Sequence, residues 1–275
     1  MTTEQKVASH YTHGSLEKAI FDALKAMGKE IDRLSAPDLS AADEFHLGWR
    51  AATVEIAKDL GLARGMHVLD VGSGIGGPAR YFAEAHGCRV TGIDLTEEFV
   101  QVAGELTRRC GLGELASFRQ ASALDLPFGE GAFDAATLIH VGMNIEDKAM
   151  LFQNARRALK PGALFGVYEV MRANAGDIPY PMPWAQTPET SFVETPETYR
   201  RLLTAVGFDI EREDNKREFV LKLAREMRDK VATHGAPPLG LHILMGPASR
   251  ERLGNVMSTL ERGTIAPIEM IARAA

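Results

Sequence analysis

Residues 68–77 read Val68-Leu69-Asp70-Val71-Gly72-Ser73-Gly74-Ile75-Gly76-Gly77, with Pro78 next. A short apolar run, a glycine-rich turn and a proline placed for the first turn of a helix together describe a strand feeding a helix through a tight loop. Glycine there lets the backbone approach a bound molecule closely, because no Cβ intrudes. The chain holds 26 glycines in 275 residues, close to one in ten, against an average near 7%. Four of them stand in this one loop.

Outward from the loop the texture alternates. His67–Val71 reads as the first strand and Arg89–Ile93 as the second, and Thr96 caps a helix over Glu97–Cys110. Ala116–Gln120 and Phe133–Ile139 are the third and fourth strands, followed by a helix from about Ile145 to Lys160 and a strand over Ala163–Val170. This rhythm predicts an α/β fold, a parallel sheet doubly wound with helices on both faces. Ahead of it, Leu16, Ile20, Leu24, Met27 and Ile31 make one apolar helix stripe. Phe45, Trp49, Ala52, Ile56 and Leu60 make another, closed by Gly61, with Ser40 and Asp43 reading as a variant capping box.

Beyond the sheet signal, Met171–Glu194 is irregular and carries Pro179, Pro181, Pro183 and Pro188 with Tyr180, Trp184 and Phe192. Long irregular connections of this kind usually form lids or binding loops. Thr195 then caps a helix to about Val206, Phe208–Glu211 is a strand, and Phe219, Leu223, Met227 and Val231 stripe a long helix. A helix over Ser249–Arg262 leads to a last strand, Thr264–Ala272, which Pro267 is expected to confine to a sheet edge. The organisation expected is a helical extension or lid over 1–65, a binding core over 66–170, and a substrate cap with the rest of the same sheet over 171–275.

Composition excludes several classes. The chain has 31 Lys+Arg against 37 Asp+Glu, a net charge of −6, with 45% hydrophobic and 25% charged residues. That balance suits a soluble globular protein and lacks the basic excess of a general nucleic-acid binder. The first residues are polar, and no apolar stretch nears the ~18 residues of a membrane span. A cytoplasmic protein is expected, a monomer or homodimer with neither membrane nor nucleic acid as partner. Two cysteines, Cys88 and Cys110, make neither a disulfide framework nor a zinc motif. His10 and His13 lack a nearby Cys or Asp partner, so no metal site is read there.

The loop formally matches G-x-G-x-x-G, which fits a dinucleotide. Asp70, two residues before the first glycine, shifts the balance: a carboxylate repels a pyrophosphate and attracts a cation. S-adenosylmethionine has no phosphate and carries an ammonium and a sulfonium. Asp94 ends the second strand, where a carboxylate can accept both hydroxyls of an adenosine ribose, whether of NAD or of S-adenosylmethionine. A nicotinamide-dependent oxidoreductase and a non-catalytic nucleoside-binding module therefore stay open at this point.

As a set, Asp70-Val71-Gly72-Ser73-Gly74, then Asp94, then Leu124-Asp125-Leu126-Pro127-Phe128 with Phe133-Asp134, then Leu159-Lys160-Pro161-Gly162 resembles the class I S-adenosylmethionine-dependent methyltransferases over roughly residues 66–170. Tyr11-Thr12-His13-Gly14, the proline-rich cap and the helical C-terminal extension are similar to the sarcosine/dimethylglycine N-methyltransferase-like small-molecule group. The resemblance implies a Rossmann-like, seven-stranded sheet with an antiparallel last strand. It also implies S-adenosylmethionine as cofactor, S-adenosylhomocysteine as product, and a small-molecule acceptor. An amine or amino-acid-like nitrogen is the first choice, with O-, S- or C-methylation of a small metabolite as the alternative.

Residue by residue, the resemblance sets Gly72, Ser73 and Gly74 against the methionine part and Asp94, with Leu95 beside it, on the ribose. Adenine falls to Ser122 and Ala123. The family usually carries an acid at the Ser122 position, and Asp125 is the fallback. His140 ends the fourth strand beside the reactive end and is the candidate general base or methyl-site orienter, packing on the cofactor being its other reading. Tyr11, the second catalytic candidate, comes with His13, His46 and Trp49 from the helical N-terminus, which can fold over the cofactor as a lid. Trp49 also reads as core. Strand alternation turns one of Tyr168 and Glu169 toward the acceptor pocket, with Tyr180 and Trp184 as further walls.

Overall fold

In the computed structural model, which describes residues 1–275, four helices precede the sheet: α1 (Thr3–Tyr11), α2 (Leu16–Ala26), α3 (Ala36–Leu39) and α4 (Trp49–Asp59). Strand and helix then alternate through β1 (His67–Val71), α5 (Gly77–His86), β2 (Arg89–Asp94), α6 (Glu97–Arg109), β3 (Ala116–Gln120), β4 (Phe133–Ile139), α7 (Lys148–Ala158) and β5 (Leu159–Arg172). The remainder holds α8 (Pro196–Ala205), β6 (Phe208–Asn215), α9 (Arg217–His234), α10 (His242–Met245), α11 (Ser249–Glu261) and β7 (Ile265–Ala274).

The strands make one sheet in the order β3-β2-β1-β4-β5-β7-β6. Strands β1 to β5 pair in parallel, and β7 runs antiparallel to both its neighbours. This is the Rossmann-like, doubly wound, seven-stranded sheet with a reversed last strand that the resemblance implied. Parallel strands covered on both faces must be apolar nearly throughout, and Val68, Leu69 and Val71 of β1 are fully buried. One face packs Leu138, Phe152, Phe165 and Phe208; the other packs Ile56, Phe82, Val90 and Ile139. Each such aromatic or aliphatic side chain contributes about 1.5–3 kcal/mol when fully buried.

Two smaller clusters join the extensions to this core. Ile20 and Leu24 of α2 pack with Phe99 and Leu106 of α6 and Leu244 of α10. Met182 and Trp184 of the irregular segment pack with Val170, Val220 and Val256. No helix is long and apolar enough to cross a membrane.

Four local expectations are corrected. The last strand is not at an edge: β7 lies between β5 and β6. Pro267 is tolerated because its carbonyl accepts from the Lys216 amide at 2.9 Å, one residue beyond the last β6–β7 pair, Asn215 with Ile268. In an antiparallel strand the N–H and C=O of one residue face the same side, so the missing donor falls where that ladder has already ended. The second N-terminal helix starts at Trp49, not near Phe45, because Gly48 at φ +91° turns the chain just before it. Asp43 is no capping residue either: its carboxylate is buried on Arg80 at 2.8 Å. Finally, α2 ends at Ala26, where Gly28 at φ +73° breaks the stripe that Met27 and Ile31 were expected to continue.

Candidate active site

Strand order reverses between β1 and β4, and ligands of doubly wound sheets bind outside the carboxyl ends of the strands at such a point. There the structure has a cavity of about 470 Å³. Its floor comes from the ends of β1, β2 and β4 and from the glycine loop: Asp70, Gly72, Ser73, Gly74, Asp94 and Leu95 all line it. Ala123 and His140 line it as well, so the structure brings together the glycine loop, the strand-end acids and His140 that the sequence singled out.

The loop is shaped by its neighbours. Gly72 has φ +72°, and a Cβ there would overlap the side chain of Val141 at the end of β4. Gly77, the first residue of α5, faces the backbone carbonyl of Asp43, so any side chain would push the helix off the preceding segment. Both positions need glycine for close approach of two chain segments.

Of the acids of the floor, Asp70 is buried and Asp94 half-buried. β1 and β4 pair Asp70 with Thr137, whose hydroxyl donates to Asp70 Oδ1 at 2.8 Å. Oδ2 of Asp70 is buried without a partner, and burial pushes this carboxyl up to about 7. Asp94 accepts from the Gly74 amide at 2.9 Å through Oδ2 and from the Thr96 amide at 2.8 Å through Oδ1. Burial still raises its pKa against those amides. Each of its oxygens keeps a lone pair for a further donor. The Ser73 hydroxyl is buried and unpartnered.

His140 adopts φ +54°, a left-handed conformation that L-residues seldom hold, and such strain concentrates at functional sites. Its ring stacks on Tyr168, and its Nδ1 accepts the Leu47 amide at 3.4 Å. A neutral ring accepting at Nδ1 carries its proton on Nε2, and that atom is buried without a partner. Burial, with His46 close by, holds His140 well below the ordinary imidazole range, so the ring is neutral at pH 7. His46 also lines the cavity, but its Nε2 is engaged with Glu44 at 2.8 Å and Thr53 at 3.1 Å.

Tyr11 and Trp49 reach the cavity wall, Trp49 from the first turn of α4 rather than from a core stripe. The Tyr11 hydroxyl donates to Asn144 Oδ1 at 2.9 Å, and burial raises its pKa. Asn144 in turn donates to the carbonyl of Trp184 at 2.8 Å, tying α1 to the cap.

Several expectations fail. Ser122 is not part of the wall: its hydroxyl accepts from the Leu124 amide at 3.0 Å and donates to Glu4, which exhausts its single proton. Asp125 is likewise outside the cavity. His13 does not line it; the amides of His13, Gly14 and Leu16 instead donate to Glu98, fixing the chain after α1 to the start of α6. Neither Tyr168 nor Glu169 faces the cavity. Tyr168 supports His140 from below, and Glu169 accepts the amides of Val141 and Gly142, at 2.8 and 2.9 Å, holding the turn after β4. Trp184 is a wall and Tyr180 is not.

The Methyltransferase domain family matches residues 69–167. Over those residues the chain is similar to methyltransferase domains. Over part of its length a sterol 24-C-methyltransferase of Gibberella zeae is 37% identical across 122 residues, 44% of this chain and 32% of that protein. The chain thus spans about a third of the length of that relative. An O-methyltransferase of Aspergillus sclerotiorum is 27% identical over 237 residues, 82% of this chain and 86% of the other.

Among solved structures, the cyclase SpnF superposes with a TM-score of 0.67 at 23% identity, over 99% of this chain and 97% of its own. A sarcosine dimethylglycine methyltransferase from Galdieria sulphuraria gives 0.63 at 17%, over 82% and 85%. Phosphoethanolamine N-methyltransferase 2 of Haemonchus contortus, in complex with S-adenosylmethionine, gives 0.72 at 20%, over 99% and 60%. At these identities the likeness is one of fold, and that fold carries a cyclase as well as methyltransferases.

Residues 69–167 do not build the cavity alone. Glu4 and Val7 of α1, Asp43 ahead of α4, and Leu244, Val256 and Met257 of the C-terminal helices all line it. None of these carries a local sequence signal that points to the cavity; Asp43 reads as a helix cap and the 249–262 segment only as a helix. No Lys or Arg lines the cavity, while Glu4, Asp43, Asp70, Asp94, Glu146 and Asp147 do.

Proposed function

We propose that the protein transfers a methyl group from S-adenosylmethionine to a small acceptor that is largely apolar and bears no phosphate or carboxylate. The observation that carries this reading is the pair Asp70, buried, and Asp94, half-buried, at the ends of neighbouring strands under the glycine loop, in a cavity without a single lining Lys or Arg. A pyrophosphate would meet only repulsion there, whereas an ammonium would satisfy the unpartnered Asp70 Oδ2. When bound, S-adenosylmethionine supplies an electrophilic methyl group on a sulfonium.

The residues present fit that group. Asp70 holds the ammonium; Ser73, whose hydroxyl lacks a partner, serves the methionine carboxylate; Asp94 accepts from the ribose with the lone pairs that Gly74 and Thr96 leave free. Leu95 and Ala123 flank the base. His140, with its proton on Nε2, offers a buried donor that orients a heteroatom of the acceptor rather than a base that strips it.

The acceptor side supports an apolar body. Met143, Val170, Trp184, Leu244, Val256 and Met257 enclose it and exclude water, which an in-line displacement needs alongside alignment. An amino-acid-like acceptor would bring a carboxylate with no cation to meet it, so a neutral hydroxylated compound or a simple lipophilic amine fits better. Calorimetry with S-adenosylhomocysteine and with NAD tests the cofactor; binding of NAD alone would sink the proposal. Incubation with labelled S-adenosylmethionine and four acceptor classes (apolar alcohols, apolar amines, amino acids, phosphate esters), followed by mass analysis, tests the acceptor. Label confined to the amino acids or phosphate esters would refute it.

A further inference from the structure

The hydroxyl of Ser122 and the carboxylate of Glu4 form a contact that spans the whole N-terminal extension. Ser122 stands two residues beyond the end of β3, and Glu4 sits in the first turn of α1. Ser122 donates to Glu4 Oε1, and Glu4 lines the cavity although Ser122 does not. α1 is held in that pose at both ends. Thr2 and Gln5 form a reciprocal capping box at its start, with Gln5 N to Thr2 Oγ1 at 3.2 Å and Thr2 N to Gln5 Oε1 at 2.9 Å. At its end the Tyr11 hydroxyl is bonded to Asn144.

The strand order fixes which part of a bound adenosyl group lies near Glu4. Across the strand ends run β3, β2, β1 and β4, neighbours lying about 4.8 Å apart. Asp94 ends β2, Asp70 lies on β1, and His140 follows β4. A ligand with its ribose on Asp94 and its sulfonium toward β1 and β4 must send its base the other way, to the β3 side, where Ser122 and Glu4 are. The carboxylate there can only accept hydrogen bonds. Adenine presents one exocyclic donor, its 6-amino group.

Building on the proposed cofactor, we infer that Glu4 is the residue that recognises the 6-amino group of the adenine, a carboxylate delivered by α1 and steadied by Ser122. The N-terminal helix is then part of cofactor specificity as well as a cover.

The test uses the full chain, two ligands and three variants. S-adenosylhomocysteine carries the 6-amino group; S-inosylhomocysteine carries a 6-oxo group, an acceptor, in its place. Calorimetry on the wild type is expected to give the first much tighter than the second. Glu4→Ala should lower affinity for S-adenosylhomocysteine about tenfold or more, the loss of a hydrogen bond to a charged group, and leave S-inosylhomocysteine unchanged or tighter. Glu4→Gln, whose amide can donate, should improve S-inosylhomocysteine over the wild type. Ser122→Ala should follow Glu4→Ala in direction with a smaller effect.

Equal losses for both ligands in Glu4→Ala and Glu4→Gln would reduce Glu4 to a fastening of the helix and overturn the inference. So would no loss for either ligand. Failure of the wild type to bind S-adenosylhomocysteine would instead count against the cofactor itself, so the two failures are separable.

Discussion

The rings of His140 and Tyr168 lie 5.4 Å apart, centroid to centroid, and only 11° from parallel. With the Leu47 amide on Nδ1, this stack fixes the plane of the imidazole and leaves Nε2–H as its one free group. His140→Ala should therefore lower turnover, by about 10²-fold as for loss of one preorganised donor, with little change in S-adenosylhomocysteine affinity. His140→Gln, which keeps a side-chain donor, should recover part of the rate. Since the ring stays neutral across the physiological range, its own titration should not appear in the rate between pH 6 and 8. Tyr168→Phe is the control. Its hydroxyl has no partner, so removing it should cost neither stability nor rate while the stack persists.

The acid limb of cofactor binding should belong to Asp70 instead. Burial pushes this carboxyl up to about 7, and only its ionised form attracts a cation. Affinity for S-adenosylmethionine should fall as pH drops below about 7, toward a tenfold loss per pH unit, and Asp70→Asn should bind weakly at every pH. Stability of the free protein should move the other way. A carboxyl raised above its unfolded value stabilises fully below the unfolded pKa, and that contribution is lost as pH rises through the folded one. The free protein should thus lose Asp70's contribution to thermal stability between about pH 4 and 7. The loss should vanish in Asp70→Asn and be reversed by ligand.

These acids were legible because their positions are set by local chain grammar. A strand, a glycine turn and a helix put Asp70, Gly72, Ser73, Gly74 and Asp94 on one rim whatever surrounds them. The partners that complete the cavity follow a different logic. Glu4 and Met257 lie more than sixty residues from any signal of the core, and only the tertiary fold brings them over it. Asp43 misled for the opposite reason: its spacing from Ser40 copies a helix cap, yet Arg80, 37 residues on, competes for the carboxylate and wins in a buried site. Pro267 misled because the edge rule concerns the lost N–H bond, and here that N–H faces the end of a ladder.

Breaking the Asp43–Arg80 pair should be strongly destabilising. Both side chains are fully buried, and Arg80 also donates to the carbonyl of Ile75 at 2.7 Å and to Thr107 at 3.0 Å. Removing Asp43 leaves the Arg80 charge uncompensated, at a cost of about 3–5 kcal/mol. Asp43→Ala should show that loss in denaturant unfolding. Arg80→Met should lose less, because Arg50 still lies 3.8 Å from Asp43, and the double variant should lose less than the sum of the two. Additive losses would show that the pair acts through packing alone. Because Ile75 belongs to the glycine loop, cofactor affinity should decline in parallel.

Met257 offers the sharpest probe of the acceptor side, being half-buried in α11 and lining the cavity in company with Leu244, Val256 and Trp184. A half-buried position tolerates a charged head without unfolding, since the long side chain can turn its end toward water. Met257→Glu should raise KM for an apolar acceptor about tenfold or more through the desolvation of the new carboxylate, leaving S-adenosylhomocysteine affinity within twofold, since its site is on the strand ends. Met257→Arg should go further and begin to admit acceptors that carry a carboxylate, because it supplies the cation this wall lacks. The measurement is the ratio of kcat/KM for an apolar alcohol to that for its carboxylated analogue. A ratio unmoved by either substitution would mean that the acceptor does not lie beneath α11.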